Sequence, residues 1–215
     1  STSSSNKIEG IYTTDKRINE IVIKNLEPKN RNEEEIAGYR DVLTLIHENY
    51  KYIDINQNTI LQLHRDLYKY TGYSYGGKFK NSQNYIEETN VKGEKKIRFT
   101  LLNAMETPIA VTELCQNYNA IVNDESCDLL ILIPIFILDF VSIHPFNDGN
   151  GRMSRLLILL LLYRTNYMVG KYISIEKMIE ETKESYYEAL EKSSIGWHDN
   201  KNDYSYFVEY YLGVI

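Results

Sequence analysis

The chain has 215 residues, of which 43% are hydrophobic and 25% are charged, a composition that suits one globular domain with a sizeable core and excludes a disordered chain. The net charge of −6 argues against a general nucleic-acid binder, because such proteins present a basic face to phosphates. Cys115 and Cys127 are isolated, so they predict neither a disulfide framework nor a zinc site and favour a reducing, cytoplasmic location.

The N-terminal region predicts short helices. Ile18, Ile21, Val22 and Leu26 share one helix face, and Pro28 would end that helix. In the segment SSSNKIEGI before it, Asn6 and Glu9 have the spacing of a capping box at a helix start, which is the ordinary interpretation of Glu9.

Two longer helices and a loop follow. Residues 36–50 have helical period, and a third helix, capped by Asn58, Thr59 or a neighbour, would run to about Tyr70. The glycines of TGYSYGGK, residues 71–78, predict a loop, and its GGKFK continuation does not supply a P-loop.

The period then changes to two. Segments 84–89 and 95–100 flank NVKGE and predict a β-hairpin. A surface hairpin without function is the simplest interpretation of this segment taken alone.

The second half of the chain is helical again. Pro108 opens a helix that reaches about Val122. The apolar run 129–140 is too short to span a membrane and contains Pro134 and Asp139, so it predicts a buried helix.

Three further helices complete the pattern. Residues 156–162 form a second apolar helix, 173–193 predict one amphipathic helix, and the tail 203–215 predicts another. The fold class is therefore all-α with one small β-hairpin.

The sequence IHPFNDGNGRMSRLL, residues 143–157, connects the two apolar helices. Its turn-forming residues alone are compatible with a plain connection. However, Arg152 and Arg155 would lie one turn apart at the positive N-terminal end of the second helix, where the dipole disfavours cations. A bound polyanion would reverse that effect, and Gly149 and Gly151 allow backbone N–H groups to point towards it.

Two other residues of this loop suggest chemistry. Asp148 supplies one carboxylate beside the anion site, which is how Mg²⁺ is usually held together with phosphate oxygens. His144 ends the preceding helix and is a proton acceptor near neutral pH. The predicted reaction class is attack of a hydroxyl group on a nucleotide phosphate.

The segment HPFNDGNGRMSR resembles the Fic-domain signature H-x-F-x-[DE]-G-N-G-R-x-x-R and matches it at every fixed position. The resemblance extends over about residues 39–194. It implies a mostly helical Fic-like bundle, ATP as substrate, Mg²⁺ as cofactor, and transfer of AMP to a hydroxyl side chain of a protein target.

The resemblance also implies roles for individual residues. His144 would deprotonate the target hydroxyl, Asp148 would bind Mg²⁺, and Phe146 would anchor the loop. The hairpin would be a target-docking flap that includes Asn84, Tyr85, Ile86 and Glu87. Residues implied to contact the nucleotide are Gly149, Asn150, Gly151, Arg152, Arg155, Tyr186 and Tyr187, although a purely structural tyrosine pair is the alternative for the last two.

Beside such a core, Ser5 and Glu9, followed by Gly10, resemble the inhibitory motif [ST]-x-x-x-E-[GN] of the Fic subclass whose inhibitory helix is N-terminal. Glu9 would then pair with Arg155 and block the γ-phosphate position. The neighbouring Ser3 and Ser4 leave the identity of the serine open.

These features predict an N-terminal helical extension at 1–38, a Fic core at 39–194 and a helical tail at 195–215. The resulting hypothesis is a self-inhibited protein adenylyltransferase. Transfer of UMP, GMP, phosphate or phosphocholine is the alternative among enzymes, and a non-catalytic ATP-sensing regulator is the other. Self-modification and a homodimer are compatible with the pattern, whereas nucleic-acid and membrane partners are not expected.

Overall fold

The computed structural model describes residues 1–82, 85–89 and 95–215, with side chains for 1–82 and 99–215. Two antiparallel strands, β1 (Tyr85–Thr89) and β2 (Lys95–Thr100), accompany the helices. The helices of the described part are α1 (Thr2–Ile8), α2 (Asp15–Val22), α3 (Arg31–Asn49), α4 (Gln57–Leu67), α5 (Thr107–Asp124), α6 (Leu129–Ile143), α7 (Asn150–Arg164), α8 (Ile175–Glu181), α9 (Lys183–Ser194) and α10 (Ser205–Val214). The predicted class, all-α with one small hairpin, is confirmed.

Helix α7 is the centre of the bundle. From Leu156 to Tyr163 every residue is buried, because a helix that is apolar on all sides is stable only when other helices surround it. Helices α3 and α6 pack against it, and α5, α9 and α10 pack against α6 or its neighbours. No helix in the described ranges is long and apolar enough to cross a membrane.

One core joins the three predicted parts of the chain. It contains Ile8 from α1, the apolar faces of α3 to α9, and Phe207 and Tyr211 from α10. Asp139, inside the apolar α6, accepts hydrogen bonds of 2.8 Å from the Trp197 indole and the Tyr204 hydroxyl and so fastens the tail. The predicted boundaries near residues 38 and 194 stay predictions.

Helices α3 and α4 approach each other closely at Gly38. A Cβ atom there would lie 1.9 Å from the Leu67 carbonyl oxygen, so only glycine fits. This approach brings the end of α4 beneath the loop between α6 and α7.

Two helix limits can be compared with the sequence prediction. Asn56, a neighbour of the predicted Asn58 and Thr59, caps α4 by accepting a 2.9 Å hydrogen bond from the Thr59 N–H. Helix α2 ends at Val22, and Leu26 lies outside it and is exposed.

The predicted helix over 173–193 is in fact two helices. Thr182 separates α8 from α9 with φ of −113° and ψ of 30°. Its hydroxyl donates to the Met178 carbonyl at 2.7 Å and lies 2.8 Å from the Tyr210 hydroxyl. Local side-chain hydrogen bonding of this kind competes with a continuous helix.

The hairpin pairs Tyr85 with Thr100, Ile86 with Phe99 and Glu87 with Ile97, and a register shift lies between Ile86 and Glu87. Its C-terminal end rests on His198, whose ring stacks on Phe99 and whose Nε2 lies 2.5 Å from the Thr100 carbonyl oxygen. Asn84, which the sequence assigns to the flap, lies outside the described residues.

Candidate active site

The loop between α6 and α7 begins and ends in left-handed backbone. His144 ends α6 with φ of +51° and ψ of 64°, and Gly149 precedes α7 with φ of +83°. For a residue with a Cβ this conformation costs roughly 1–2 kcal/mol. Such strain is retained where the surrounding structure fixes it and is common at functional sites.

Asn150 and Phe146 lock the middle of the loop. The Asn150 amide accepts from the Phe146 N–H at 2.9 Å and donates to the Phe146 carbonyl at 2.8 Å. Phe146 is fully buried, as the resemblance implies. The side chain of Asn150 is therefore committed to the loop, and only its backbone is available to a phosphate.

His64 supports the loop from below, and the sequence analysis missed it. Its ring stacks on Phe146 with centroids 3.6 Å apart. The Gly77 N–H donates to Nδ1 at 3.0 Å, so Nε2 carries the hydrogen and donates to the Asp148 carbonyl at 3.0 Å. Burial lowers the pKa of His64 to about 4. A single histidine on the apolar face of α4 resembles an ordinary core residue, which is why its position in the sequence gave no signal.

His144 has the properties of a neutral base. Its Nδ1 lies 3.3 Å from the Val141 carbonyl oxygen, which can only accept, so Nδ1 carries the hydrogen and Nε2 keeps its lone pair. Burial lowers the pKa of His144 to about 4. At neutral pH the imidazole can therefore accept a proton.

Arg155 is buried, and the N-terminal segment binds its Nε and one of its two terminal nitrogens, while the other terminal nitrogen is buried without a hydrogen-bond partner in the described part of the chain. Its Nε donates to the Ser5 hydroxyl at 2.7 Å, and one terminal nitrogen donates to the Ser5 carbonyl at 3.0 Å and to the Glu9 carboxylate at 2.7 Å. A Cβ atom on Gly151 would lie 2.2 Å from the same Glu9 oxygen. The carboxylate thus lies directly on the first turn of α7, where the sequence predicts an anion.

The structure does not support the interpretation of Glu9 as a helix-start residue. Glu9 follows the last residue of α1 and occupies its C-terminal cap position, so the capping-box interpretation is wrong. Of the neighbouring serines, Ser5 is the one that contacts Arg155.

Arg152 lies in a buried polar network. Its guanidinium is 2.8 Å from the Glu35 carboxylate and donates to the Tyr68 hydroxyl at 2.6 Å. Glu35 also accepts from Arg31 at 3.0 Å. Arg152, which the resemblance assigns to the nucleotide, is therefore held by a carboxylate of α3. Glu35 was missed because it belongs to a run of three glutamates, a pattern typical of a solvated face.

Asp148 is half-exposed at the edge of the loop. One carboxylate oxygen accepts from the Gly149 N–H at 2.7 Å, and the other is 3.8 Å from Arg152. In the described part of the chain no three acidic, histidine or cysteine side chains form a metal-binding group. A lone, accessible carboxylate suits Mg²⁺ only when nucleotide phosphates supply further oxygens.

Two cavities meet at Glu9. One, of about 250 Å³, lies beside the base and the second arginine; its lining residues are Glu9, Phe99, Leu138, Val141, Ser142, His144, Gly151, Arg155, Tyr186, Tyr187, Leu190 and Ser194. The other, of about 350 Å³, lies beside the metal candidate and the first arginine; its lining residues are Glu9, Gly10, Ile11, Arg31, Asn32, Glu35, Asp148 and Arg152. The structure therefore brings the predicted site residues together in two cavities, with Glu9 of the N-terminal segment on the border of both.

The tyrosine pair and the hairpin border the first cavity. Tyr186 is buried against Phe207 and Tyr210, a structural arrangement, whereas Tyr187 is more exposed. Phe99, the β2 partner of Ile86, lines the same cavity, so the hairpin lies beside His144. For Tyr85, Ile86 and Glu87 the structure gives the backbone pairing alone.

Comparison with known proteins agrees with this geometry. The model of the Fic/DOC family matches residues 54–162, which is half of the chain. The chain belongs to the Fic/DOC family. The matched region contains His64, the hairpin and the whole HPFNDGNGRMSR loop.

Related proteins carry the same family name. A protein from Drosophila melanogaster named protein adenylyltransferase Fic is 33% identical over 118 residues, which are 54% of this chain and 21% of that protein. The chain thus spans about a fifth of the length of this relative.

Solved structures share the fold. A Fic-domain signaling protein from Bacteroides thetaiotaomicron has a TM-score of 0.78 at 23% identity, covering 97% of this chain and 79% of that chain. A fragment of Fic-1 from C. elegans has a TM-score of 0.70 at 22% identity, covering 99% of this chain and 58% of that one.

Proposed function

We propose that this Fic protein is a self-inhibited protein adenylyltransferase that transfers AMP from ATP to a hydroxyl side chain of a protein target or of itself. The observation that carries the proposal is the neutral imidazole of His144 in the same cavity as the N-terminal turn of α7 and Arg155. A base, an anion site and a cation for a polyphosphate meet there. The name of the adenylyltransferase relatives supports the same reaction.

The transfer step is a displacement at the α-phosphorus of ATP. The target oxygen forms a bond to that phosphorus, the bond to the β-phosphate oxygen breaks, and pyrophosphate leaves with its electron pair. Nε2 of His144 takes the hydroxyl proton. Unpaired N–H groups at the start of α7, including that of Gly151, face the phosphate charge. Asp148 would hold Mg²⁺, whose chemistry is neutralisation of phosphate charge.

Self-inhibition is proposed because the N-terminal segment occupies the side of Arg155 that faces Glu9. Ser5 and Glu9 take the hydrogen bonds of its Nε and of one terminal nitrogen, and the Glu9 carboxylate would repel a γ-phosphate. Active protein requires that this carboxylate move away. Because Gly151 is in contact with the same carboxylate, its departure also opens the first turn of α7.

The hairpin is proposed to dock the target. An extended target segment can pair with its main chain, which supplies affinity with little sequence selectivity. The remaining sequence predictions, namely cytoplasmic location, a homodimer and the absence of nucleic-acid and membrane partners, stay proposals.

The test is nucleotide transfer by the Glu9→Gly variant, followed by mass spectrometry of the protein and of added lysate. With ATP and Mg²⁺ we expect the mass of AMP on a hydroxyl side chain, and little product in EDTA. Adding His144→Ala should reduce the rate on the order of 10²- to 10⁴-fold with ATP binding kept. Transfer from UTP, GTP or another donor instead would identify the alternative enzyme, whereas ATP binding without transfer would identify a nucleotide-sensing regulator.

A further inference from the structure

Lys80 lies beneath the strained backbone of His144. It is 3% exposed, and its ammonium donates to the Ile143 carbonyl at 2.8 Å. Its backbone N–H donates to the Pro145 carbonyl at 2.9 Å. Lys80 therefore holds the carbonyl groups on both sides of His144.

Burial of a lysine in this place needs a reason. Burial costs a cation several kcal/mol unless it is well partnered, and it lowers the pKa of Lys80 to about 8. Among the described side chains no carboxylate pairs with it. Its acceptor, Ile143, is the last residue of α6, where carbonyl groups lack helical partners and the dipole is negative.

The charge of Lys80 also acts on the imidazole of His144. Three charged groups act on His144 from three elements: Lys80 from the segment after α4, Glu9 from the end of α1, and Asp148 from the loop itself. Burial is the largest cause of the lowered pKa of His144, and Lys80 lowers it further, whereas Glu9 and Asp148 raise it. The positive charge of Lys80 thus acts on the pKa of His144 in the same direction as burial.

We propose that Lys80 is a positioning residue for the transfer reaction: by binding the carbonyl groups of Ile143 and Pro145 it fixes the left-handed backbone of His144 and so orients the imidazole in its cavity. This inference rests on the proposed role of His144 as the base. Lys80 acts through His144 and through the two carbonyl groups it binds.

The experiment compares Lys80→Met, Lys80→Gln and Lys80→Arg in the Glu9→Gly background. Lys78→Met is the matched control, since Lys78 is an exposed lysine two residues away. We expect Lys80→Met to reduce kcat on the order of 10²-fold, the scale of a small misplacement at a reacting centre, with the KM for ATP within about twofold. Lys80→Arg should recover most of the rate, and Lys78→Met should lose none.

The pH profile separates positioning from a merely structural role. Without the positive charge the imidazole is protonated more readily, so the acid limb of kcat should move to higher pH in both Lys80→Met and Lys80→Gln. Lys80→Gln keeps a hydrogen-bond donor, so its kcat at high pH should exceed that of Lys80→Met. If Lys80→Met does not fold, the glutamine variant alone decides the question.

A titration of the His144 ring by NMR gives a readout that does not depend on activity. The His144→Ala spectrum assigns its signal among the four histidines. Substitution of Lys80 by glutamine should raise the titration midpoint of His144. A folded Lys80→Gln with unchanged midpoint and the kcat profile of Lys78→Met would overturn the proposal. Absence of nucleotide transfer in every chain, the control included, would instead refute the proposed function, and the titration would still test Lys80.

Discussion

Glu9 and Arg155 differ in their exposure. The Glu9 side chain is 31% exposed, whereas that of Arg155 is 1% exposed. The carboxylate, at the end of a short segment, can be solvated when it leaves, whereas the arginine stays in the core as a buried cation that favours a new anionic partner. The asymmetry makes Glu9 the movable member of the pair.

Substitution of Glu9 tests inhibition by charge. Glu9→Gly should raise AMP transfer on the order of 10²-fold, since a misplaced α-phosphate costs about that factor. Glu9→Gln keeps the shape and loses the charge, so it should activate in part. Side-by-side transfer assays and melting curves measure both effects. Wild-type rates in both variants would refute self-inhibition by this carboxylate.

The residues of the loop could be predicted because the motif fixes their types and spacing. Their partners could not. His64 and Asp148, and likewise Tyr68 and Arg152, are 84 positions apart, and no local pattern relates such positions. The Glu9 contact with Arg155 was predictable through the family resemblance alone, because 146 positions separate them.

At the scale of elements, α1 is held mainly by polar contacts. Most of its buried residues are small and polar, with Ile8 as its apolar contribution to the main core. Its C-terminal carbonyl at Ile8 accepts a 2.8 Å hydrogen bond from the Lys183 ammonium of α9. Few apolar contacts and a solvent-accessible hydrogen bond are the features of an element that opens locally.

Removal of the Lys183 ammonium should therefore release α1 in part. Hydrogen bonds to charged groups contribute about 1.5–3 kcal/mol, and less where water competes, so Lys183→Met should raise transfer roughly fivefold, well below the effect of Glu9→Gly. Hydrogen exchange of residues 2–9 should rise in parallel. Lys192→Met, an exposed lysine of the same helix, is the control. Faster exchange without faster transfer would contradict inhibition by α1.

The hairpin should affect docking more than nucleotide binding. Ile86→Pro removes a backbone donor from β1 and so weakens strand pairing. We expect modification of targets in lysate to fall at least tenfold, with the affinity for ATP within about twofold, as measured by labelled transfer and by calorimetry. Equal losses of target modification and of affinity for ATP would indicate that the hairpin stabilises the nucleotide cavity and does not dock the target.

Element type was predictable wherever the hydrophobic period was long, as in α3, α6 and α7. The residues at which helices begin and end were less predictable, because they depend on single contacts. Thr182 interrupts an otherwise continuous amphipathic pattern through its hydroxyl and the facing Tyr210. The Gly38 approach to α4 likewise depends on a carbonyl 29 positions away and leaves no local trace.

At the scale of the whole molecule, the apolar helical patterns predicted the core. The polar groups buried inside that core could not be predicted from the sequence. The described side chains include two histidines, His64 and His144, that the fold keeps neutral, each with a pKa lowered by burial to about 4. In the unfolded chain a histidine titrates near pH 6.5. Folding therefore becomes linked to pH in a window that ordinary carboxylate pairs do not occupy.

The stability of the fold should depend on pH in this window. Between pH 6.5 and 4 the histidines of the unfolded chain bind protons, whereas His64 and His144 of the folded chain stay neutral. The free energy of unfolding therefore falls as the pH is lowered, by at most about 3 kcal/mol for each histidine. Carboxylates act at lower pH: the hydrogen bond from Arg17 lowers the pKa of Glu33 to about 2, and that contribution is lost below the usual glutamate pKa. Melting temperature measured in steps from pH 7.5 to 4 should thus fall before the carboxylates titrate.

Substitution by glutamine identifies the source. His64→Gln offers one acceptor to Gly77 and one donor to Asp148 but no proton-binding site, so the dependence of melting temperature on pH should flatten, even if the variant is less stable at pH 7.5. His198→Gln is the control, since it makes the same substitution at an exposed histidine. An unchanged slope in His64→Gln, with the wild-type fall between pH 6.5 and 4 retained in full, would show that His64 does not hold the neutral, doubly hydrogen-bonded state beneath the loop.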